Sequence, residues 1–196
     1  MKIYTGAPEI KITTFTKPLN IPVLFSNTNP VWLEIGFGVG NFLLELAKTY
    51  PSINFMGIEH NKSRYRRMAE KIVKYGIRNI KIMDVDAQLA VQHLLEDESI
   101  DRIFIQFPDP WPKNRHEKYR LFNMDFVRNL AKCLKQGGKI RVLTDAKPYF
   151  QYITTIMFAD DLFSDSTMDG QFPVTTFEQR FIRKNIPYYE QIAMRV

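Results

Sequence analysis

Phe107-Pro108-Asp109-Pro110-Trp111-Pro112-Lys113 places a carboxylate, an indole and an ammonium on one short segment, directly after the apolar run Ile103-Phe104-Ile105. Prolines on both sides of Asp109 fix their own φ and favour extended geometry in the residues before them, so the carboxylate is expected to be held stiffly. Trp111 offers a face on which a purine can stack, and Lys113 a point charge for a phosphate or a base edge. Upstream, Glu34-Ile35-Gly36-Phe37-Gly38-Val39-Gly40 spaces three alternate glycines between an apolar run and a helical pattern. Such a turn lets the backbone approach a ligand closely, or serves only to reverse the chain tightly. A dinucleotide fingerprint needs its third glycine one place later, where this chain has Asn41, so a nicotinamide or flavin site is disfavoured.

Acids recur where strands are expected to end. Glu34 lies inside the glycine turn; Glu59 ends the run Ile53–Ile58, 23 residues after Gly36. A carboxylate in the second position is placed to accept both hydroxyls of a ribose. Asp86 follows Ile80–Met83 and could accept from an adenine amino group; it is equally a good helix N-cap ahead of Ala87, and the two roles are compatible. With Asp109 these make four acids, a pattern that would repel a pyrophosphate. It suits S-adenosylmethionine, which is cationic and carries no phosphate. Asp145 reads either as the cap of the next helix or as a further group at the same edge, and Glu178 either as a surface charge beside Arg180 or as part of a Thr-x-Phe-Glu site.

The elements that must hold these residues alternate short apolar runs with helical periodicity, which predicts an α/β fold around a mostly parallel, Rossmann-like sheet with helices on both faces. Strands are expected at Val31–Ile35, Ile53–Ile58, Ile80–Met83, Ile100–Phe107 and Lys139–Leu143, with antiparallel edge strands near Leu162–Met168 and Ile186–Met194. Between them, helices are expected to bury Phe42, Leu43, Leu46 and Ala47; then Tyr65, Met68, Ala69, Ile72 and Val73; then Phe122, Phe126, Leu130 and Leu134; and finally Phe150, Ile153 and Met157. Gly76 is read as a left-handed helix cap, and Gly137-Gly138 as the end of the helix that precedes the fifth strand. Residues 1–30, rich in Thr, Pro and Asn, are read as a loosely ordered arm, and 31–196 as one domain.

The chain has 196 residues and a net charge of +6. Eight Lys or Arg residues stand between Asn61 and Lys81 against Glu70 alone, which read first as a solvated helix face; Lys113, Arg115, Lys118 and Arg120 stand against Glu117. A polyanionic partner is compatible with that balance. No run of about 20 apolar residues exists to cross a bilayer, and no secretory signal begins the chain, so a cytoplasmic protein without membrane contact is expected. Cys133 is the only cysteine and falls on an apolar helix face, as a core thiol would. His60, His93 and His116 lack metal-ligand spacing, and no metal is expected.

Taken in order, Glu34–Gly40, Gly57-Ile58-Glu59, Asp86-Ala87, Phe107–Lys113 with Arg115-His116, Thr144-Asp145 and Thr175-Thr176-Phe177-Glu178-Gln179-Arg180 closely resemble the bacterial tRNA (guanine-N7)-methyltransferases, from about residue 31 to the end. The resemblance implies a seven-stranded methyltransferase sheet, S-adenosylmethionine as cofactor, and the variable-loop guanine of tRNA as substrate, in a monomer or homodimer. It implies that Glu34, Glu59, Asp86 and Asp109 line the cofactor pocket beside Gly36, Gly38, Gly40 and Ala87. Asp109 matches the catalytic position, and Lys113, Asp145, Thr175, Thr176, Phe177 and Glu178 match substrate-binding ones. Arg115, His116, Glu117, Lys118, Tyr119 and Arg120 match an RNA-contacting stretch, with Tyr119 standing in a run that the family commonly keeps basic. The competing readings are a methyltransferase of the same fold acting on another nitrogen, and a non-catalytic RNA-binding module.

Overall fold

In the computed structural model, which describes residues 8–12, 14–112 and 114–196, the apolar run Val31–Ile35 forms β1, buried at all five positions. Strands buried on both faces read as continuous apolar runs, and β1 sits in the middle of such a sheet. Asn54–Ile58 is β2, Ile80–Met83 β3, Ile100–Gln106 β4 and Leu134–Thr144 β5, followed by Phe163–Asp165 as β6 and Tyr189–Arg195 as β7. Their order is β3-β2-β1-β4-β5-β7-β6. The first five pair in parallel, whereas β7 runs antiparallel to both β5 and β6. This is the mostly parallel sheet with an antiparallel C-terminal edge that the sequence predicts.

The helices are α1 (Ile21–Phe25), α2 (Asn41–Thr49), α3 (Lys62–Lys74), α4 (Ala87–His93), α5 (Met124–Cys133), α6 (Lys147–Met157) and α7 (Thr176–Lys184). Alternation along β1 sends Val31, Leu33 and Ile35 to one apolar cluster, shared with α1, α4, α5 and α6. Trp32 goes to the other, with Phe42, Leu43 and Leu46 of α2 and Tyr65, Met68 and Ile72 of α3. The sheet is therefore covered on both faces. Cys133 is buried, and burial pushes its thiol up to about 12, so it acts as a core group and not as a nucleophile.

Four expectations change. Val73 is exposed, because α3 faces the sheet with Tyr65, Met68 and Ile72 and, partly buried, Ala69. Helix α5 ends at Cys133, ahead of Gly137-Gly138, and β5 has already begun at Leu134. Ile100 pairs with Leu134 but Arg102 with Lys139, so the surplus residues bulge out at Gly137, whose φ is +74. The C-terminal region contains α7, which its weak alternation does not announce. Its start nevertheless carries a Thr-x-x-Glu capping box.

The fourth change concerns the expected arm. Over the described residues 8–12 and 14–30 the chain is docked: Ile10 N donates to Ile82 O at 2.8 Å, Ile82 N to Pro8 O at 2.8 Å, and Leu19 N to Leu94 O at 2.8 Å. Ile10, Leu19, Ile21 and Leu24 are buried in the first cluster. At about 1.5–3 kcal/mol for each large side chain buried, four such residues outweigh the turn-forming composition around them.

Candidate active site

Every parallel strand delivers an acidic residue to the carboxyl edge of the sheet. There Glu34 and the glycine turn leave β1, Glu59 leaves β2, Asp86 leaves β3, Asp109 leaves β4 and Asp145 leaves β5. Ligands of open α/β sheets bind outside this edge, where the connections diverge to opposite faces.

The glycine turn has the backbone its sequence predicts, with φ of +76 at Gly36, +57 at Gly38 and +75 at Gly40. Gly36 N donates to Ile58 O at 2.8 Å, joining the turn to β2. A Cβ on Gly36 would meet nothing within 4 Å, so the space above the turn is open. Gly40 is the opposite case: its Cβ would lie 2.2 Å from the sulfur of Met68, a buried residue of α3. Gly40→Ala is therefore expected to cost at least about 2 kcal/mol, from overpacking and left-handed strain together. Gly36→Ala should show only the strain. Comparing the two thermal midpoints tests this, and equal losses would refute it.

Glu34 and Glu59 are both buried, each 3% exposed. Glu59 is well served: its carboxylate accepts from Gly38 N at 2.9 Å and Asn61 N at 2.8 Å, with Arg64 at 3.9 Å. Glu34 is not. Gln106 Nε2 donates to one of its oxygens at 3.3 Å, and the other is buried without a partner among the described residues. Burial, with the Glu59 charge adding, pushes the Glu34 carboxyl up to about 8. Gln106 Oε1 is also buried and has no partner among the described residues. Buried acceptors without donors are rare in folded proteins. Two of them on the neighbouring strands β1 and β4 fit a ligand that brings N–H donors and positive charge, as the ammonium end of S-adenosylmethionine does. Gln106 is a candidate site residue that the sequence alone did not single out. Its signal is a lone amide closing an apolar strand.

Asp86 caps α4, accepting from Leu89 N at 3.0 Å, and remains exposed with Ala87 beside it. Asp145 does not cap α6. The N-cap is Ala146, whose N–H is taken by Thr144 Oγ1 at 3.2 Å. The Asp145 carboxylate is thus exposed, with no hydrogen bond or ion pair among the described residues.

The loop after β4 departs from expectation. Phe107, which precedes Pro108, has φ +52, and Trp111, which precedes Pro112, has φ +41, so neither is extended. Left-handed backbone at a non-glycine residue costs of order 1–2 kcal/mol and persists where packing over-determines it. Phe107 supplies that packing, with its ring 5.1 Å from Phe181, 5.6 Å from Phe177 and 6.0 Å from Tyr188. Its N–H also donates to Leu143 O at 2.8 Å. Aromatic packing on Phe107 thus joins proline in restraining the loop that carries Asp109. Asp109 is exposed, and no group among the described residues pairs with it.

Thr175 and Glu178, expected at the substrate, are largely occupied with each other. Thr175 N donates to Glu178 Oε2 at 2.8 Å and Glu178 N to Thr175 Oγ1 at 3.0 Å. Arg141 holds the remaining Glu178 oxygen at 3.4 Å. Thr176 and Phe177, by contrast, are exposed at the same helix start. In the basic segment, Trp111, His116 and Tyr119 form a ring cluster with centroids 5.6–6.0 Å apart. Arg115, Lys118 and Tyr119 are exposed. Arg120 turns inward, donating to the carbonyls of Pro110 at 3.0 Å and Trp111 at 3.3 Å. Its guanidinium lies over the Tyr149 and Tyr152 rings, which makes it a brace for the loop. Lys113 lies outside the described residues, and of Glu117 only the backbone, in a short 3-10 turn, is described.

A sheet of this order with an acid-lined, glycine-floored carboxyl edge is that of a Rossmann-like methyltransferase. Two solved structures share the fold: the aminoglycoside resistance methyltransferase NpmB1, with a TM-score of 0.63 at 18% identity over 86% of this chain and 89% of that one, and the 16S rRNA methyltransferase KamB, with a TM-score of 0.63 at 14% identity over 87% and 90%. A family model described as "Putative methyltransferase" matches residues 28–191. The chain is 36% identical over 178 residues to the tRNA (guanine-N(7)-)-methyltransferase of Nitrosomonas eutropha, covering 88% of this chain and 80% of that one. It is 32% identical over 182 residues to the enzyme of the same name from Pseudomonas putida, covering 89% and 76%. The chain belongs to the tRNA (guanine-N(7)-)-methyltransferase family.

Proposed function

We propose that this protein transfers the methyl group of S-adenosylmethionine to N7 of the variable-loop guanine of tRNA. The observation that carries the reading is the juxtaposition at one sheet edge of two buried acceptors short of donors, on Glu34 and Gln106, and a carboxylate, Asp109, with no partner among the described residues. It is supported by membership of the family. The cofactor supplies an electrophilic sulfonium methyl, which N7 takes with its lone pair while the sulfur–carbon bonding pair stays on sulfur. Guanine N7 is an acceptor with no proton to remove, so no residue has to act as a general base.

Glu34, the glycine turn, Glu59 and the Asp86-Ala87 cap line the cofactor. Asp109 orients the guanine and stabilises the positive charge that develops on it. Asp145, Thr176 and Phe177 are placed at the base or its neighbours. Arg115 and Lys118 meet the RNA, whose shape and phosphates they would read. Among the described residues no helix is long and apolar enough to cross a membrane, and we place the enzyme in the cytoplasm, with unmodified tRNA as its partner.

Incubation of the purified protein with unmodified tRNA and labelled cofactor, followed by nucleoside analysis, is expected to yield labelled 7-methylguanosine. Label in another nucleoside, or in none, would overturn the reading.

A further inference from the structure

Helix α3 packs on the sheet through Tyr65, Met68 and Ile72 and turns Lys62, Arg66, Arg67 and Lys74 to solvent, with Arg78 exposed just beyond its end. Among the described residues no carboxylate pairs with any of these five; Arg64 has Glu59 at 3.9 Å. Glu70, the one acid on the helix, forms no ion pair either. Tyr75 is 52% exposed, with the ammonium groups of Lys48 and Lys74 lying 5.3 and 5.8 Å from its ring centroid.

Helix stability accounts for only part of this arrangement: Lys71 and Lys74 stand in the last turn, where the helix dipole favours cations, and Glu70 lies four residues before Lys74. The first turn of α3 has no acid and carries Lys62 and Arg64 at the positive end of the helix dipole. Lys62/Arg66 and Arg67/Lys71 are like charges at i,i+4, and Arg64/Arg67 and Lys71/Lys74 at i,i+3, each spacing mildly destabilising. Lys71, which donates to Val39 O at 2.7 Å and Asn41 Oδ1 at 2.9 Å, has its pKa lowered by burial and then by the Arg67 charge. A face kept at such a cost to the helix, with an exposed ring among its cations, has the composition of a single-strand nucleic-acid surface.

Its position is also suitable. Helix α3 starts where β2 ends, at the edge that carries Asp109, two strands and roughly 10 Å across the sheet. From there it runs roughly 20 Å away. A polynucleotide with one base at Asp109 has its flanking backbone within reach of that face.

We propose that the outer face of α3, with Arg78 and Tyr75, binds the phosphate backbone of the tRNA beyond the reacting nucleotide, as a contact separate from the Arg115–Arg120 segment. The inference rests on the tRNA reading above. The test is the triple variant Arg66→Gln, Arg67→Gln, Lys74→Gln, measured against wild type for tRNA binding across a salt titration. The variant should bind roughly ten- to a hundredfold more weakly near physiological salt, with the slope of log affinity against log salt shallower by about 2. KM for tRNA should rise while kcat, the thermal midpoint and cofactor affinity stay within about twofold or a few degrees. Replacing Arg66, Arg67 and Lys74 by lysine or arginine, charge conserved, should restore binding.

An unchanged slope and affinity overturn the proposal. So does a variant that binds tRNA normally but loses binding to polyglutamate, since that outcome would assign the face to an acidic protein. Binding is read without turnover, so a wild type that binds tRNA and forms no 7-methylguanosine would sink the functional reading while the salt slope still decides this surface.

Discussion

Asp109→Asn is expected to lower turnover on tRNA by roughly 30- to 100-fold, with the fold and tRNA binding little changed. The direct attraction between a carboxylate and a charge about 4 Å away is about 4 kcal/mol at an effective dielectric near 20. Asp109 is exposed, so water and the ground-state complex already take part of that, and only the excess in the transition state accelerates the reaction. About 2–2.7 kcal/mol remains, which sets the factor given. Because Asp109 has no hydrogen-bond or ion-pair partner among the described residues, the amide should alter stability by less than about 0.5 kcal/mol. The measurement is kcat at saturating tRNA and cofactor, with cofactor affinity determined separately by calorimetry. A variant that keeps more than half of the wild-type kcat would remove Asp109 from the chemistry.

Glu34 is expected to make cofactor binding release a proton and depend on pH. With its carboxyl held near 8, the group is mostly neutral at pH 7 in the unliganded protein. A cationic ligand favours the carboxylate, so the proton leaves on binding. Affinity should therefore rise with pH by up to tenfold per unit and flatten above about 8. Glu34→Gln should remove the dependence and weaken binding; comparing it with wild type also cancels the titration of the ligand's own amino group. Calorimetry in buffers of different ionisation enthalpy counts the protons directly. Release of none would refute the assignment.

The same residue should make the unliganded fold less stable in alkali. Its folded value lies above the ordinary 4.5, so the contribution of the neutral form is fully present below about 4.5 and is lost as pH rises through about 8. The loss is at most about 5 kcal/mol. Glu34→Gln, which cannot ionise, should denature at a higher temperature than wild type above pH 8, trading binding for stability.

How legible the molecule was depends on how local the cause is. Continuous apolar runs such as Val31–Ile35 and Ile103–Ile105 are buried from both sides, so composition alone located the parallel strands. Gly36, Gly38 and Gly40 announced a left-handed turn because few other residues adopt that backbone. The acids at strand ends were readable for the same reason, since a strand terminates where its apolar run does. Helix α7 was missed because Phe181 is its only buried apolar residue, too few for a period, although Thr175 and Glu178 spelled its cap. Phe107 was misread because proline biases its predecessor locally, whereas contacts with Phe177, Phe181 and Tyr188 decide its backbone.

Residue types and spacing by themselves determined the sheet, the edge that carries the candidate site and the charges gathered there. The partners of those charges were decided only by the tertiary structure. It gave Glu59 two backbone donors and left Glu34 short of one. It turned Arg120 inward to brace the Asp109 loop while leaving Lys62, Arg66, Arg67 and Lys74 of α3 without a carboxylate partner among the described residues. Charge is a property of a residue, but burial and pairing belong to the neighbours that a fold brings from distant parts of the chain.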